Sequence, residues 1–293
     1  MLKLDIGFLS TSLAIIMNNQ DQQTPKKTKR NGVKNLKRAQ ATPEFHPHRH
    51  FFMNSSIRLE LNVIHVWIAS LETKKKDIPV FRRLLTPDEK ERAARFCFEK
   101  DQVNFITGRA ILRTLLGRYT NQSPADVKFV YNSYGKPLLI NQVQSPPLNF
   151  NLSHSGGKAL YAFSRGIPLG IDLEKIKPDI DFAAIAPRFF SPGEVSSLFS
   201  LEKSDRVEAF YACWTRKEAF IKAMEMGLSL ELDKFDVSLR PGEPAQLLSI
   251  KFQNQNTQNW SLYDLKVFSG FKACLAVRAR NIAISYYLWD SNC

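Results

Sequence analysis

The sequence predicts an α+β fold built from two similar α/β halves. Three patterns carry that expectation. Apolar runs of strand length, such as "IRLELNVIHVWI" (57–68), are interspersed with longer amphipathic stretches of helical period. Two helical regions echo each other: Thr86-Pro87 and Ser191-Pro192 each open a short helix, with an acid close behind. A longer helix then follows, carrying "AILR" (110–113) in one case and "AFIK" (219–222) in the other. The chain beyond about residue 235 is rich in strand patterns: "FDVSL", "WSLYDLKV", "KACLAVRA" and "AISYYLW". A cleft between two such halves is a favoured ligand site.

Taken in order, residues 1–52 form a basic extension that reads as disordered. They hold nine Lys and Arg against three Asp and Glu, close to half of the +13 net charge of the 293-residue chain. The opening "MLKLDIGFLSTSLAIIM" loosely resembles a signal peptide without a convincing cleavage site. His46, His48 and His50 are clustered there, within solvated low-complexity sequence. Met53 is the alternative start, and residues 53–165 make the first half. In it, the strand over 57–68 leads to a helix capped by Thr86, with Pro87 first and acids in its opening turn. A second helix over about 101–119 buries Phe105, Ile106, Ile111, Leu112 and Leu115. Strands are expected at about 127–132, 148–152 and 158–164. Residues 166–293 make the second half. Its helix "FYACWTRKEAFIKAMEMG" has Val207, Phe210, Tyr211, Trp214 and Ile221 as an apolar stripe and Gly227 as terminator.

Composition narrows the function classes. The apolar content of 44% suffices for a large core, and no run reaches the roughly 18–20 apolar residues of a membrane span. The four cysteines (Cys97, Cys213, Cys274, Cys293) have no paired spacing, which points to a reducing, cytoplasmic setting and against a thiolate zinc site.

The chemistry starts at "GIDLEKI" (170–176). In a strand, residues i and i+2 share a face, so Asp172 and Glu174 project together while Ile171 and Leu173 enter the core. Two carboxylates aimed at one point need a cation, and oxygen donors suit Mg²⁺ or Mn²⁺. A solvated acidic edge strand is the other reading of that pair. Glu218 and Lys222, four apart, share a helix face behind the basic triplet "TRK". An isolated pair of that kind is an ordinary surface ion pair. Next to two acids, it can hold a metal-bound pyrophosphate, with Lys217 and Lys222 neutralising charge. "FNLSHSGG" (150–157) offers hydroxyls, an imidazole and exposed backbone N–H groups that suit a phosphate, or make a plain hairpin turn. "YGKP" (134–137) presents Lys136 on a turn. Trp214 reads as a core tryptophan, with a lining role the alternative.

Five motifs in order, "YGKP", "FNLSHS", "GIDLEK", "RFFSPGE" and "WTRKEAFIKAMEMGLSL", resemble those of the surfactin-type (Sfp-like) 4'-phosphopantetheinyl transferases. The resemblance runs from about Val66 to Leu239. Thr215 stands where serine is frequent, and residues 1–52 have no counterpart in the family pattern.

The resemblance implies two α/β halves related by a pseudo-twofold axis, with coenzyme A between them. It implies a Mg²⁺-dependent transfer of phosphopantetheine from coenzyme A to a serine of an apo carrier protein, releasing adenosine 3',5'-bisphosphate. Asp172, Glu174 and Glu218 are then the metal site, with Glu174 bound directly or through water. Glu218 is the base for the serine, and Lys222 with Lys217 stabilises the pyrophosphate. Asn151, Ser153, His154, Gly135, Lys136 and Arg92 match positions that hold the nucleotide end. The expected partners are coenzyme A and acidic acyl, polyketide or peptidyl carrier proteins, with the chain acting as a monomer and with neither nucleic acid nor membrane involved. The rival readings are a Mg²⁺-dependent phosphodiesterase that hydrolyses coenzyme A and a basic nucleic-acid-binding protein.

Overall fold

The structure, a computed structural model, describes residues 56–132, 136–140, 145–225, 231–252 and 256–290. The basic extension, the three clustered histidines, the Met53 start, Gly135 and Gly227 lie outside the described residues.

The first strand, β1 (Val63–Ser70), is buried on both faces. It begins later than the alternation from Ile57 implies. Asn62 adopts a left-handed conformation (φ 59°), which interrupts the extended chain, and Leu61 is left exposed. Ile57 is anchored instead through its N–H to the carbonyl of Arg118 (3.1 Å). Three helices follow: α1 (Ile78–Arg83), α2 (Pro87–Ala94) and α3 (Glu99–Thr120). Thr86 and Glu89 form the capping box that starts α2, and α3 stops where Asn121 turns left-handed. A small hairpin, β2 (Phe129–Tyr131) and β3 (Pro137–Leu139), precedes the long hairpin β4 (Leu148–Ser155) and β5 (Lys158–Arg165).

The second half opens with β6 (Leu169–Lys175) and continues through α4 (Phe182–Phe189), α5 (Pro192–Phe199) and α6 (Lys203–Met224). It closes with β7 (Phe235–Val237), β8 (Leu247–Ile250), β9 (Ser261–Asp264), β10 (Phe271–Val277) and β11 (Ala283–Leu288). The helical regions repeat each other more closely than the motif echo indicates. In each, a capping box (Thr86 with Glu89, Ser191 with Glu194) starts an eight-residue helix, and a 22-residue helix follows. In each, the capping glutamate is buried against a cation of that long helix. Glu89 meets Arg113 at 2.6 Å and Glu194 meets Lys217 at 2.8 Å.

The strands form two main sheets, ordered β11-β1-β5-β4 and β6-β10-β9. The last strand thus returns to the first half, where β11 runs parallel to β1. Alternation sets the layers. Ile64, Val66 and Ile68 of β1 face Ile171 and Leu173 of β6 and Leu275 of β10, forming a core between the sheets. The opposite face of the first sheet, with Trp67, Tyr161 and Phe163, packs on Ile111, Leu112, Leu115 and Leu116 of α3. Beneath α6, Phe210, Trp214 and Phe220 pack with Cys274 and Ala276 of β10. The expected mixed α/β architecture is therefore present, as helix, sheet, sheet, helix.

Candidate active site

The site is assembled where β6 meets α6 on one side and β4 on the other. Even-numbered residues of β6 point away from the inter-sheet core, toward α6. At Gly170 that approach is close: an added Cβ would lie 2.2 Å from the carbonyl oxygen of Ala219 and 2.4 Å from the nitrogen of Ala223. Only glycine admits the helix there. Its contact brings Glu218 and Lys222 over the two residues that follow in the same register, Asp172 and Glu174.

The other edge of β6 lies along β4, and side chains connect the two. Asn151 Oδ1 accepts the N–H of Ile171 (2.8 Å), Ser153 Oγ that of Leu173 (3.2 Å) and Ser155 Oγ that of Lys175 (3.1 Å). Residues 151, 153 and 155 share one face of β4, so three polar side chains at a spacing of two close an edge that a further strand would otherwise cover. The serines then reach the acids. Ser153 Oγ donates to Asp172 Oδ1 (3.0 Å) and Ser155 Oγ to Glu174 Oε2 (3.0 Å).

Lys222 completes the group. Its ammonium donates to Asp172 Oδ1 (2.7 Å), to the carbonyl of Ile171 (3.2 Å) and to Ser153 Oγ (3.3 Å). Asp172, Glu174, Glu218 and Lys222 are all buried, which gathers three carboxylates and an ammonium in one cluster. The cost shows on Glu174, whose carboxyl is held well above the usual carboxylate range. Burial is the main cause and the charge of Asp172 the second; Glu218 adds to it, while Ser155 and Lys222 oppose it. Asp172 Oδ2 is buried and has no hydrogen-bond partner among the described residues. The donor set is all oxygen, excess negative and partly unsatisfied, which fits a hard cation. Among the described residues no three metal-ligating side chains are gathered closely enough to hold an ion by themselves.

The remaining sequence-predicted residues are placed as follows. His154 is half-buried on β4; burial, then repulsion from Lys222, lowers its pKa to about 4, so its ring is neutral at pH 7. Lys136 reaches from the β2–β3 hairpin to the end of α6, donating to the carbonyl of Lys222 (3.1 Å) and to Glu225 Oε1 (2.9 Å). Burial lowers its pKa, and Glu225 offsets part of that. Arg92 stays on α2, its guanidinium 5.4 Å from the ring centre of Phe105. Trp214 is a core residue, buried against Phe189, Phe190 and Phe210.

Lys217 is not brought to the acids. It is buried beside Glu194, with its ammonium donating to the carbonyls of Leu232 (2.7 Å) and Phe235 (2.6 Å). Helical geometry gives the reason: five residues turn a helix by about 500°, which sets Lys217 roughly 140° from Lys222. Sequence reasoning missed the partners of this lysine, the pairing of buried Arg216 with exposed Asp264 (2.6 Å), and the grip of Ser155 on Glu174. For Ser155 a signal existed: it continues the spacing of Asn151 and Ser153 on β4.

A buried cluster of three acids and a lysine where β4, β6 and α6 meet is the kind of arrangement that enzymes use. Residues 70–164 match the N-terminal 4'-phosphopantetheinyl transferase family, and residues 168–280 match the 4'-phosphopantetheinyl transferase superfamily. The 4'-phosphopantetheinyl transferase HetI of Nostoc sp. is 37% identical over 73% of this chain and 87% of its own length. The transferase Sfp of Bacillus subtilis is 37% identical over 54% of this chain and 68% of its own. The human L-aminoadipate-semialdehyde dehydrogenase-phosphopantetheinyl transferase is 28% identical over 67% and 68%. A solved structure, Thermotoga maritima holo-[acyl-carrier-protein] synthase, superposes only in part, with a TM-score of 0.31 at 19% identity over 39% of this chain and 64% of that one. The chain belongs to the 4'-phosphopantetheinyl transferase superfamily. Among the described residues no helix is long and apolar enough to cross a membrane.

Proposed function

We propose that this chain uses the β6–α6 cluster to transfer 4'-phosphopantetheine from coenzyme A to a serine of an apo carrier protein. The observation that carries this reading is the convergence of Asp172, Glu174, Glu218 and Lys222, together with the match to the transferase family over both halves. In the reaction the serine Oγ forms a bond to the β-phosphorus of coenzyme A. The bond from that phosphorus to the bridging oxygen breaks, and adenosine 3',5'-bisphosphate leaves with the electron pair.

The chain's own residues supply three things to this step. Serine is a poor nucleophile at neutral pH, and Glu218 takes its proton, directly or through one water. Lys222 keeps its hold on Asp172 and exchanges its contact with Ser153 Oγ or the Ile171 carbonyl to donate to a phosphate oxygen, where negative charge builds in the reaction. The neutral ring of His154, beside Lys222, donates an N–H to the nucleotide's phosphate without carrying a charge of its own. Lys136 and Arg92 are further candidates for the nucleotide end. Asp172, Glu174 and Glu218 would hold Mg²⁺ or Mn²⁺, which when bound supplies positive charge to the pyrophosphate oxygens. The partner is an acidic carrier, met by a basic chain acting as a monomer in the cytoplasm.

Release of adenosine 3',5'-bisphosphate separates this reading from hydrolysis. The expected result is release only when an apo carrier is present, and none when the acceptor serine of the carrier is replaced by alanine. Release without any carrier would favour the phosphodiesterase reading.

A further inference from the structure

We propose that Ser155 is a positioning residue of this site: its hydroxyl fixes the Glu174 carboxylate for the cation that the acids hold. This inference rests on the metal reading given above. A serine hydroxyl has one proton and two lone pairs. In Ser155 the backbone N–H of Lys175 occupies a lone pair (3.1 Å), and the proton is directed to Glu174 Oε2 (3.0 Å). The main chain of β6 therefore sets the direction in which the hydroxyl points, and the hydroxyl sets the carboxylate.

The placement of Ser155 is enforced by its neighbours. It is the last residue of β4, and Gly156 turns the chain directly after it with φ +55°. A Cβ at Gly156 would come 2.7 Å from Cδ of Lys175, so the turn sits against β6 at this point. Ser153 repeats the arrangement one step earlier, between the N–H of Leu173 and Asp172 Oδ1. The two serines thus hold the two acids at the same spacing. They differ in one respect: Asp172 has the Lys222 ammonium at 2.7 Å, whereas the hydroxyl of Ser155 is what grips Glu174. A serine that merely capped the edge of β6 would need only the N–H contact.

Groups that orient metal ligands typically carry 10–100-fold in metal affinity. The test is a titration of Mn²⁺ into the full chain, with and without coenzyme A, followed by the electron paramagnetic resonance signal of free Mn²⁺. Ser155→Ala is expected to bind Mn²⁺ on the order of 10-fold more weakly, with coenzyme A affinity measured without metal unchanged. Ser155→Thr, which keeps the hydroxyl, is expected to restore wild-type affinity. If Ser155→Ala does not fold, Ser155→Cys, a weaker donor of similar size, is expected to show an intermediate loss. Wild-type Mn²⁺ affinity in Ser155→Ala or Ser155→Cys overturns the inference and leaves the metal reading standing. Absence of Mn²⁺ binding by the wild-type chain removes the metal reading, and the inference with it.

Discussion

Gly170 is the point at which the second half of the molecule can be pried from its own active site. In Gly170→Ala the added methyl meets main-chain atoms of α6: the oxygen of Ala219 at 2.2 Å, the nitrogen of Ala223 at 2.4 Å and the carbonyl carbon of Lys222 at 2.8 Å. None of these can rotate away. To restore ordinary contact at 3.4 Å the helix must retreat by about 1.2 Å at Ala219. Overpacking of a tight core costs about 1–3 kcal/mol, and a clash wholly against backbone belongs at the upper end. For a domain of this size that is a fall in Tm on the order of 6–12 °C. The displacement also carries Lys222 and Glu218 away from Asp172, and a 1 Å misplacement of catalytic groups can cost about 100-fold in rate. Thermal denaturation monitored by circular dichroism gives the first quantity, and transfer rates measured well below the new Tm give the second. A variant with wild-type Tm and wild-type rate would refute the account of how α6 is seated.

Three further substitutions test the electrostatics. Glu174→Gln removes a carboxylate whose pKa is raised in the folded chain, so the folded state binds its proton more tightly than the unfolded one. Stability from this group grows as pH falls, and at neutral pH its charge is a burden. The variant is expected to melt higher than wild type at neutral pH without ligand, to lose that advantage on acidification, and to lose activity; a lower Tm at neutral pH would contradict this. His154 has the opposite sign. Its folded value near 4 lies below the free value of 6.5, so the stability it contributes is present above pH 6.5 and is lost as pH falls toward 4. His154→Gln is expected to flatten that part of the stability curve, and an unchanged pH dependence would count against a ring held neutral in the folded chain. Lys217→Met breaks the buried pair with Glu194, a loss of about 3–5 kcal/mol. Its expected signature in chemical denaturation is lower stability with unchanged coenzyme A affinity in the folded fraction, and the reverse pattern would return Lys217 to the substrate site.

Much of this was legible in the sequence because the signals are local. The period-two placement of Asp172 and Glu174 and the four-residue spacing of Glu218 and Lys222 are single-element facts, and both survive in the structure. The helix expected over about 101–119 extends over Glu99–Thr120, since its caps lie just outside the apolar stripe. The burial of Trp214 likewise follows from its place on the apolar stripe of α6. What was not legible depends on pairing between distant segments. Nothing in "AISYYLW" says that it will lie parallel to β1, more than two hundred residues earlier. The polar face of β4 reads as a phosphate-binding turn until β6 is laid beside it, when Asn151, Ser153 and Ser155 become partners of its backbone. The motif "WTRKEAFIK" groups Lys217 with Lys222, although helical rotation separates them. Gly170 shows how a strand glycine is read correctly only with the helix that crosses it.

The most direct test of the central claim is the intact mass of apo carrier proteins after incubation with the chain, coenzyme A and Mg²⁺. The account predicts a gain of one phosphopantetheine group, abolished by EDTA and by Glu218→Ala. An unmodified carrier alongside hydrolysed coenzyme A would contradict the transfer, and a gain undiminished in Glu218→Ala would contradict the site.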